Sequence, residues 1–360
     1  MKLVNWPTRI SKNSYAMALE IYLARVQNND SVRTVATMGS IGAPGLSDLD
    51  LIVITEDSNL GGKQSNLSVK GINDGVFLHG PVILPISMKN EIQFIIYASN
   101  IDIIFGNDRP PSFDELTKEE KIGLSVCYLL DFTQSRMLQY WTAEKNGELD
   151  VRAWATRTWS VFHSINLLKN LDIELKENCI ELLDIVKLPR DLWCNGEVFS
   201  PKHIVDAFEA SKAINDVIFL SVLKKFYELP SDPPKSIRGY RSDYYFEHED
   251  VKPITISRHI KLGGRRFDIS AMKMPARYYS HLCTYRSAIR NSSDIDRIDR
   301  SFIGVASNRA RIIKAHQEWV LKHVPHSDSM TGYLALSKPK NLTPRSIVRD
   351  LFQSIMKIGL

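Results

Sequence analysis

Residues 32 to 55 restrict the fold more tightly than any other stretch of the chain. Val32 to Met38 is rich in β-branched and apolar residues and stops at Gly39-Ser40. A loop, residues 41–46, leads to Ser47-Asp48-Leu49-Asp50, and the apolar run Leu51-Ile52-Val53-Ile54 follows at once. Runs of this kind bounded by turn residues read as strands. Side chains alternate faces along a strand, so a strand over Leu49 to Thr55 sends Asp48 and Asp50 one way and Leu49 and Leu51 the other. Two carboxylates on one side repel unless a cation lies between them. A hard divalent cation such as Mg²⁺ or Mn²⁺ takes one or two carboxylates plus substrate phosphates. Paired metal ions about 4 Å apart can clamp the attacking and leaving oxygens of a displacement at phosphorus.

That chemistry usually uses a third carboxylate. Asp102 is the best candidate, one acid inside the apolar stretch Asn100-Ile101-Asp102-Ile103-Ile104-Phe105, where an unpaired charge is costly to bury. On a strand beside Leu49–Thr55 it would complete a three-acid cluster, bridging a metal or taking the proton of an attacking hydroxyl. Asp74, Glu91 and Asp108 are rivals; Asp74 falls in a hairpin-turn signal, Asn73-Asp74-Gly75, and Asp108 in a loop before Pro110-Pro111. A glycine directly after a strand lets the backbone approach a phosphate, with the Ser40 hydroxyl and the following amides as donors.

This combination resembles the DNA polymerase β-type nucleotidyltransferase superfamily: Gly-Ser, a gap of about this length, Asp-x-Asp with an apolar strand after it, and a lone Asp on a later strand. The resemblance covers roughly the first third of the chain. It implies that Gly39 and Ser40, with Ser47 nearby, hold the phosphates of an NTP such as ATP. It also implies that Asp48 and Asp50 hold Mg²⁺ or Mn²⁺, and that Asp102 joins them and activates the acceptor.

Other motifs fall short. Gly39, Gly42 and Gly45 follow a strand, but a dinucleotide fingerprint needs Gly-x-Gly-x-x-Gly opening a helix. Gly61-Gly62-Lys63 lacks the first glycine and the hydroxyl residue of a phosphate loop. No Gly-x-Ser-x-Gly turn is present, and His323 and His326 lack metal-ligand company. Cys127, Cys179, Cys194 and Cys283 are scattered, as for reduced thiols rather than a zinc or disulfide framework.

Composition sets the class. With 44% hydrophobic and 24% charged residues over 360 positions, the chain is ordinary for a globular protein with two or three domains and excludes disordered and fibrous classes. The first residues lack a signal-peptide pattern and no apolar stretch approaches the ~18 residues of a membrane span. A cytoplasmic protein without a membrane partner is expected. Lys and Arg exceed Asp and Glu by 11 in residues 230–360, against deficits of 1 and 5 in residues 1–110 and 111–229.

The expected fold class is α+β. Residues 1–110 form a catalytic core: a helix from about Asn13 to Val26 on a mixed sheet of Val32–Met38, Leu49–Thr55 and Ile101–Phe105, with a ribbon from Val76–Leu84. Residues 111–229 form a helical domain. Its first helix is capped by Thr117 and Glu120, and helices follow at about Val151–Leu171, Glu177–Val186 and Pro201–Tyr227, the last capped by Ser200. Arg152, Arg157 and Lys169 are able to meet phosphates from that side, although such charges ordinarily sit on a solvated helix face. Residues 230–360 are a basic region after a Pro230–Pro234 linker. A hairpin there turns at Gly263-Gly264, a helix passes through Tyr278 and Tyr285, another runs from Ser293 to Val324, and a last one starts at Thr343-Pro344. The long helix carries Arg297, Arg300, Arg309 and Arg311 on its polar face. Arg265, Arg266, Arg277, Arg286 and Arg290 interleave with tyrosines, as an anionic acceptor site would or as a solvated basic surface would.

The function these features imply is transfer of a nucleoside monophosphate from an NTP to an acceptor hydroxyl or phosphate. The acceptor is left open among a small molecule such as a sugar phosphate, a protein side chain, and an RNA end or second nucleotide. The alternative is a non-catalytic nucleotide- or nucleic-acid-binding module that keeps the same fold.

Overall fold

The structure, a computed structural model, describes residues 1–57, 66–227, 236–238, 242–247, 254–262, 265–275, 302–324 and 329–330. It begins with β1 (Lys2–Val4), α1 (Lys12–Val26), β2 (Val32–Met38), β3 (Asp50–Thr55), β4 (Val82–Pro85), α2 (Ile92–Ile95) and β5 (Asp102–Phe105). A mixed sheet in the order β4-β3-β2-β5 is the frame of the molecule. β2 runs antiparallel to β3 and β5, and β3 runs parallel to β4. The expected ribbon over Val76–Leu84 is shorter: residues 74–76 turn, and only Val82–Pro85 pairs with β3.

Both faces of the sheet are covered, which is why its central strands read as unbroken apolar runs rather than as alternation with polar residues. Val35, Leu51 and Val53 pack on one face against Tyr15, Ala18, Tyr22 and Val26 of α1. Ser11 caps α1 by accepting from the Ser14 amide. Ala36, Met38, Ile52 and Ile54 look the other way, into the largest core.

That second face is covered by helices. α3 (Lys118–Asn146) starts at the Thr117–Glu120 capping box, both halves of which form, and stops at Gly147 in the left-handed region. β6 (Glu148–Asp150) pairs with β1. Where one helix is expected over Val151–Leu171 there are two, α4 (Val151–Thr158) and α5 (Ser160–Lys169). α6 (Glu177–Cys194) runs on through Pro189, well past the expected end at Val186, and α7 (Pro201–Phe226) carries the expected Ser200 cap.

Further along lie β7 (Ser236–Arg238), β8 (Ser242–Glu247), β9 (Ile254–Leu262) and β10 (Arg265–Pro275). β9 and β10 pair antiparallel with Leu262 opposite Arg265, as the Gly263-Gly264 signal implies. α8 (Ile303–His323) lies within the expected Ser293–Val324 helix. Its Phe302, Val305, Ala306 and Ile312 join Ile52, Leu84, Leu124 and Ile218 in one core. Each of the three sequence regions thus contributes residues to the largest core. The Pro230–Pro234 linker, Gly61-Gly62-Lys63, the helices expected through Tyr278 and from Thr343, and the side chains of the arginine–tyrosine cluster and of Arg297 and Arg300 lie outside the described residues. No helix among the described residues is long and apolar enough to cross a membrane.

Candidate functional site

Met38 at the end of β2 sits opposite Asp50 at the start of β3. The chain between them must therefore leave and re-enter the sheet at one end, which is what brings Gly39 against the carboxylates. Gly39 has φ +78°, and a Cβ on it would lie 3.9 Å from Asp50 Oδ2. The rest of the loop is fixed from behind. Gly45 has φ +93° with Thr8 O only 2.3 Å from where a Cβ would stand, so glycine is required there on two grounds. The Gly45 amide donates to Tyr15 Oη (3.0 Å), and Tyr15 Oη donates to Ser47 O (2.6 Å). The Ser47 hydroxyl accepts from the Ala43 amide (3.2 Å) and from Arg190 (2.8 Å). Trp193 Nε1 donates to Pro44 O (2.8 Å).

Asp48 and Asp50 do share one side, as alternation requires, and His79 stands between them. Its Nε2 is 2.7 Å from Asp50 Oδ1 and 3.5 Å from Asp48 Oδ2, while Nδ1 is 2.9 Å from Gly80 O. Both ring nitrogens face acceptors, the pattern of an imidazolium. Burial alone would lower its pKa. The hydrogen bond and charge of Asp50, the Gly80 carbonyl and Asp48 outweigh that and raise it to about 9. Burial raises the pKa of Asp48, and the neighbouring Asp50 charge adds to it. Ligand atoms of Asp48, Asp50 and His79 all lie within 4.8 Å of one another, a spacing able to hold a metal ion.

These residues form one end of a cleft of about 1000 Å³ that Gly39, Ser40 and Ser47 also line. The helices add basic residues to its lining, Arg136 from α3, Arg152 and Arg157 from α4, His163 from α5 and Arg190 from α6. The Arg190 guanidinium stacks 4.1 Å from the Trp159 ring, and its Nη2 would lie 3.4 Å from a Cβ on Gly42. Among the described residues, none of these arginines is in an ion pair. The acids that line the cleft are otherwise engaged: Asp48 and Asp50 with His79, and Asp131 with Arg309 (2.8 Å).

Asp102 stands apart from this cluster. It is exposed on β5 and lies opposite Thr37, which shares the α1-facing side of the sheet with Val35 and Leu51. Asp50, opposite Met38, belongs to the other face, so the third carboxylate does not converge with the first two. A register shift between Val35 and Ala36 in the β2–β5 pairing accompanies this placement, and a one-residue slip reverses which face a side chain takes. Asp74, Glu91 and Asp108 do not line the cleft either; Asp108 pairs with Arg33 (2.9 Å) and Lys89 (3.4 Å). Arg152 and Arg157 reach the cleft, whereas Lys169 bonds Asn166 at the surface. Arg309, expected on a polar helix face, is 2% exposed, held by Asp131, by Phe94 O (3.1 Å) and over the Tyr128 ring (4.5 Å).

His79, His163 and Arg190 carry no sequence signal comparable with Asp-x-Asp. Arg190 had one usable clue, since apolar helical spacing continues beyond Pro189 to Trp193. No protein-family model, curated protein or solved structure matches this chain.

Proposed function

We propose that the chain is a metal-dependent nucleotidyltransferase. The observation that carries this reading is the meeting, in a single cleft, of the Gly39 turn with the paired carboxylates Asp48 and Asp50, together with arginines that form no ion pair among the described residues. An NTP fits that distribution of charge. Its β- and γ-phosphates lie along Gly39-Ser40 under Arg190, with Arg152 and Arg157 meeting the remaining charge.

The donor set suits a hard divalent cation: two carboxylates close enough that burial and mutual repulsion raise the proton affinity of Asp48. Mg²⁺ or Mn²⁺ bound there would neutralise charge on the α-phosphate and the leaving group. An acceptor oxygen attacks the α-phosphorus, the α–β bridging P–O bond breaks, and pyrophosphate leaves with the bonding electrons. Positioning and charge neutralisation supply most of the rate. The proton of an acceptor hydroxyl passes to His163, which burial and the nearby Arg136 and Arg190 keep neutral. With Asp102 outside the cleft, His163 takes the part that the sequence resemblance gives to a third acid.

A second reading, a nucleotide-binding module without turnover, is favoured by one observation: His79 already bridges the two acids. Incubation with each α-³²P-labelled NTP and Mg²⁺ or Mn²⁺, with and without cell extract, separates the two. Label on RNA, protein or a small molecule supports transfer and names the acceptor class. NTP binding with no labelled product supports the module.

A further inference from the structure

His79 comes to the carboxylates from a separate stretch of chain, and two ties to β3 fix where it stands. The Leu49 amide donates to Val76 O (3.0 Å), and Val82 of β4 lies opposite Ile52 of β3. The chain between those ties, residues 77–81, therefore runs beside the start of the strand that carries Asp50. The ring is also aimed from behind. Its Nδ1 lies 2.9 Å from Gly80 O, and an Nδ1–H donated to a backbone carbonyl is the contact that ordinarily orients a metal-ligating histidine and leaves Nε2 to face the ion.

The donor separations fit a shared ion. Nε2 is 2.7 Å from Asp50 Oδ1 and 3.5 Å from Asp48 Oδ2. Two donors each about 2.1 Å from one cation stand roughly 3.0 Å apart at a right angle and roughly 3.4 Å apart at the tetrahedral angle. Asp50 uses only Oδ1 here; its Oδ2 is the atom nearest a Cβ placed on Gly39. Three protein donors leave the other positions on an ion to water or to phosphate oxygens. A nitrogen among those donors bears on which ion is held. Mg²⁺ takes oxygen ligands and gives up its waters reluctantly, whereas imidazole favours first-row transition ions.

We propose that His79 is the third protein ligand of the cation on Asp48 and Asp50, and that its nitrogen makes the site select Mn²⁺, or a later first-row divalent ion, over Mg²⁺. This rests on the nucleotidyltransferase reading for the task of the metal, but the ligand set can be tested without nucleotide. On entry the ion replaces the Nε2 proton, which passes to solvent. A histidine that only neutralised the two acids would behave in the opposite way: its removal would leave them uncompensated and tighten the binding of every cation, Mg²⁺ included.

The experiment titrates the full-length protein, free of NTP, with Mn²⁺ and separately with Mg²⁺ by calorimetry. The Mn²⁺-loaded protein is then examined by pulsed electron paramagnetic resonance, in which a coordinated imidazole nitrogen modulates the Mn²⁺ echo. Wild type is expected to show that modulation. His79→Ala should lose it and bind Mn²⁺ at least about tenfold more weakly, with no such loss for Mg²⁺. His79→Asp, which offers oxygen in place of nitrogen, should show no modulation and bind Mg²⁺ more tightly than wild type. No Mn²⁺ binding by wild type, or a wild-type echo without nitrogen modulation, overturns the proposal whether or not the variants fold. Mn²⁺ binding that is unchanged or tighter in folded His79→Ala overturns it equally. Binding of a non-hydrolysable ATP analogue to the Mn²⁺-loaded protein is read in parallel. Its absence beside a nitrogen-ligated Mn²⁺ counts against the transferase reading, whereas its presence without nitrogen modulation counts against this ligand set alone.

Discussion

The two sides of the cleft are built on different principles. The sheet side places its chemistry on strand ends and the loop between them, where the chain path from Met38 to Asp50 forces Gly39, Asp48 and Asp50 together. The helical side assembles Arg136, Arg152, Arg157, His163 and Arg190 from four helices, none adjacent in sequence to the motif. One side concentrates negative charge and the other positive charge, so an anionic ligand with a bound cation can satisfy both at once. A local motif can mark a site, but the charge that complements it comes from distant parts of the chain.

The largest expected break in this complementarity is at Arg190, which touches both the loop and the wall. Arg190→Ala should lower NMP transfer roughly 10²–10³-fold, the usual effect of removing one preorganised charge donor. Steady-state rates with labelled NTP check this, and an unchanged rate would remove Arg190 from phosphate binding.

Acid stability probes the seam between α8 and the sheet. His316 is buried, its Nε2 lies 2.8 Å from Ile83 O, its Nδ1 has no partner among the described residues, and burial lowers its pKa to about 4. Below about pH 6.5 the unfolded chain binds a proton here that the folded chain refuses until about pH 4. Stability is therefore full above that window and falls by about 3 kcal/mol as pH drops through it. Urea midpoints between pH 7 and pH 4 measure the slope. His316→Gln should flatten it, and an identical slope would assign the acid sensitivity elsewhere.

Gly45→Ala should destabilise by roughly 1–3 kcal/mol from its backbone angle alone, with the Thr8 carbonyl adding to the cost. A thermal midpoint equal to wild type would mean that the loop is not held as described. The smallest expected effect is at Asp102: Asp102→Asn should leave transfer within about twofold. A large loss there would restore the third acid to the site and displace His163 as the base.

The β2–β3 unit, α1, the Thr117 cap, the Ser200 cap and the Gly39–Asp50 conjunction were legible because each rests on local rules: strand alternation, capping residues, a glycine at positive φ. Asp102 shows where local rules stop. Its strand was readable, but its face depends on a register shift against β2 that only the pairing reveals. Arg190 was hidden because a proline inside a helix reads as a terminus, although α6 continues through it. Arg309 and Arg136 were hidden for the same reason as each other. A charge on a helix is ordinarily solvated, and only packing shows one buried against Asp131 and the other left unneutralised beside a cleft.

The central claim is that Asp48 and Asp50 jointly hold a cation against the polyphosphate lying on Gly39-Ser40. The direct measurement is Mn²⁺-dependent binding of an NTP, by titration of wild type and of Asp48→Ala/Asp50→Ala at matched folded concentration. Wild type should bind the nucleotide at least about tenfold more tightly with Mn²⁺ than without, and the double variant should show no such dependence. Equal metal dependence in the two proteins would contradict the account.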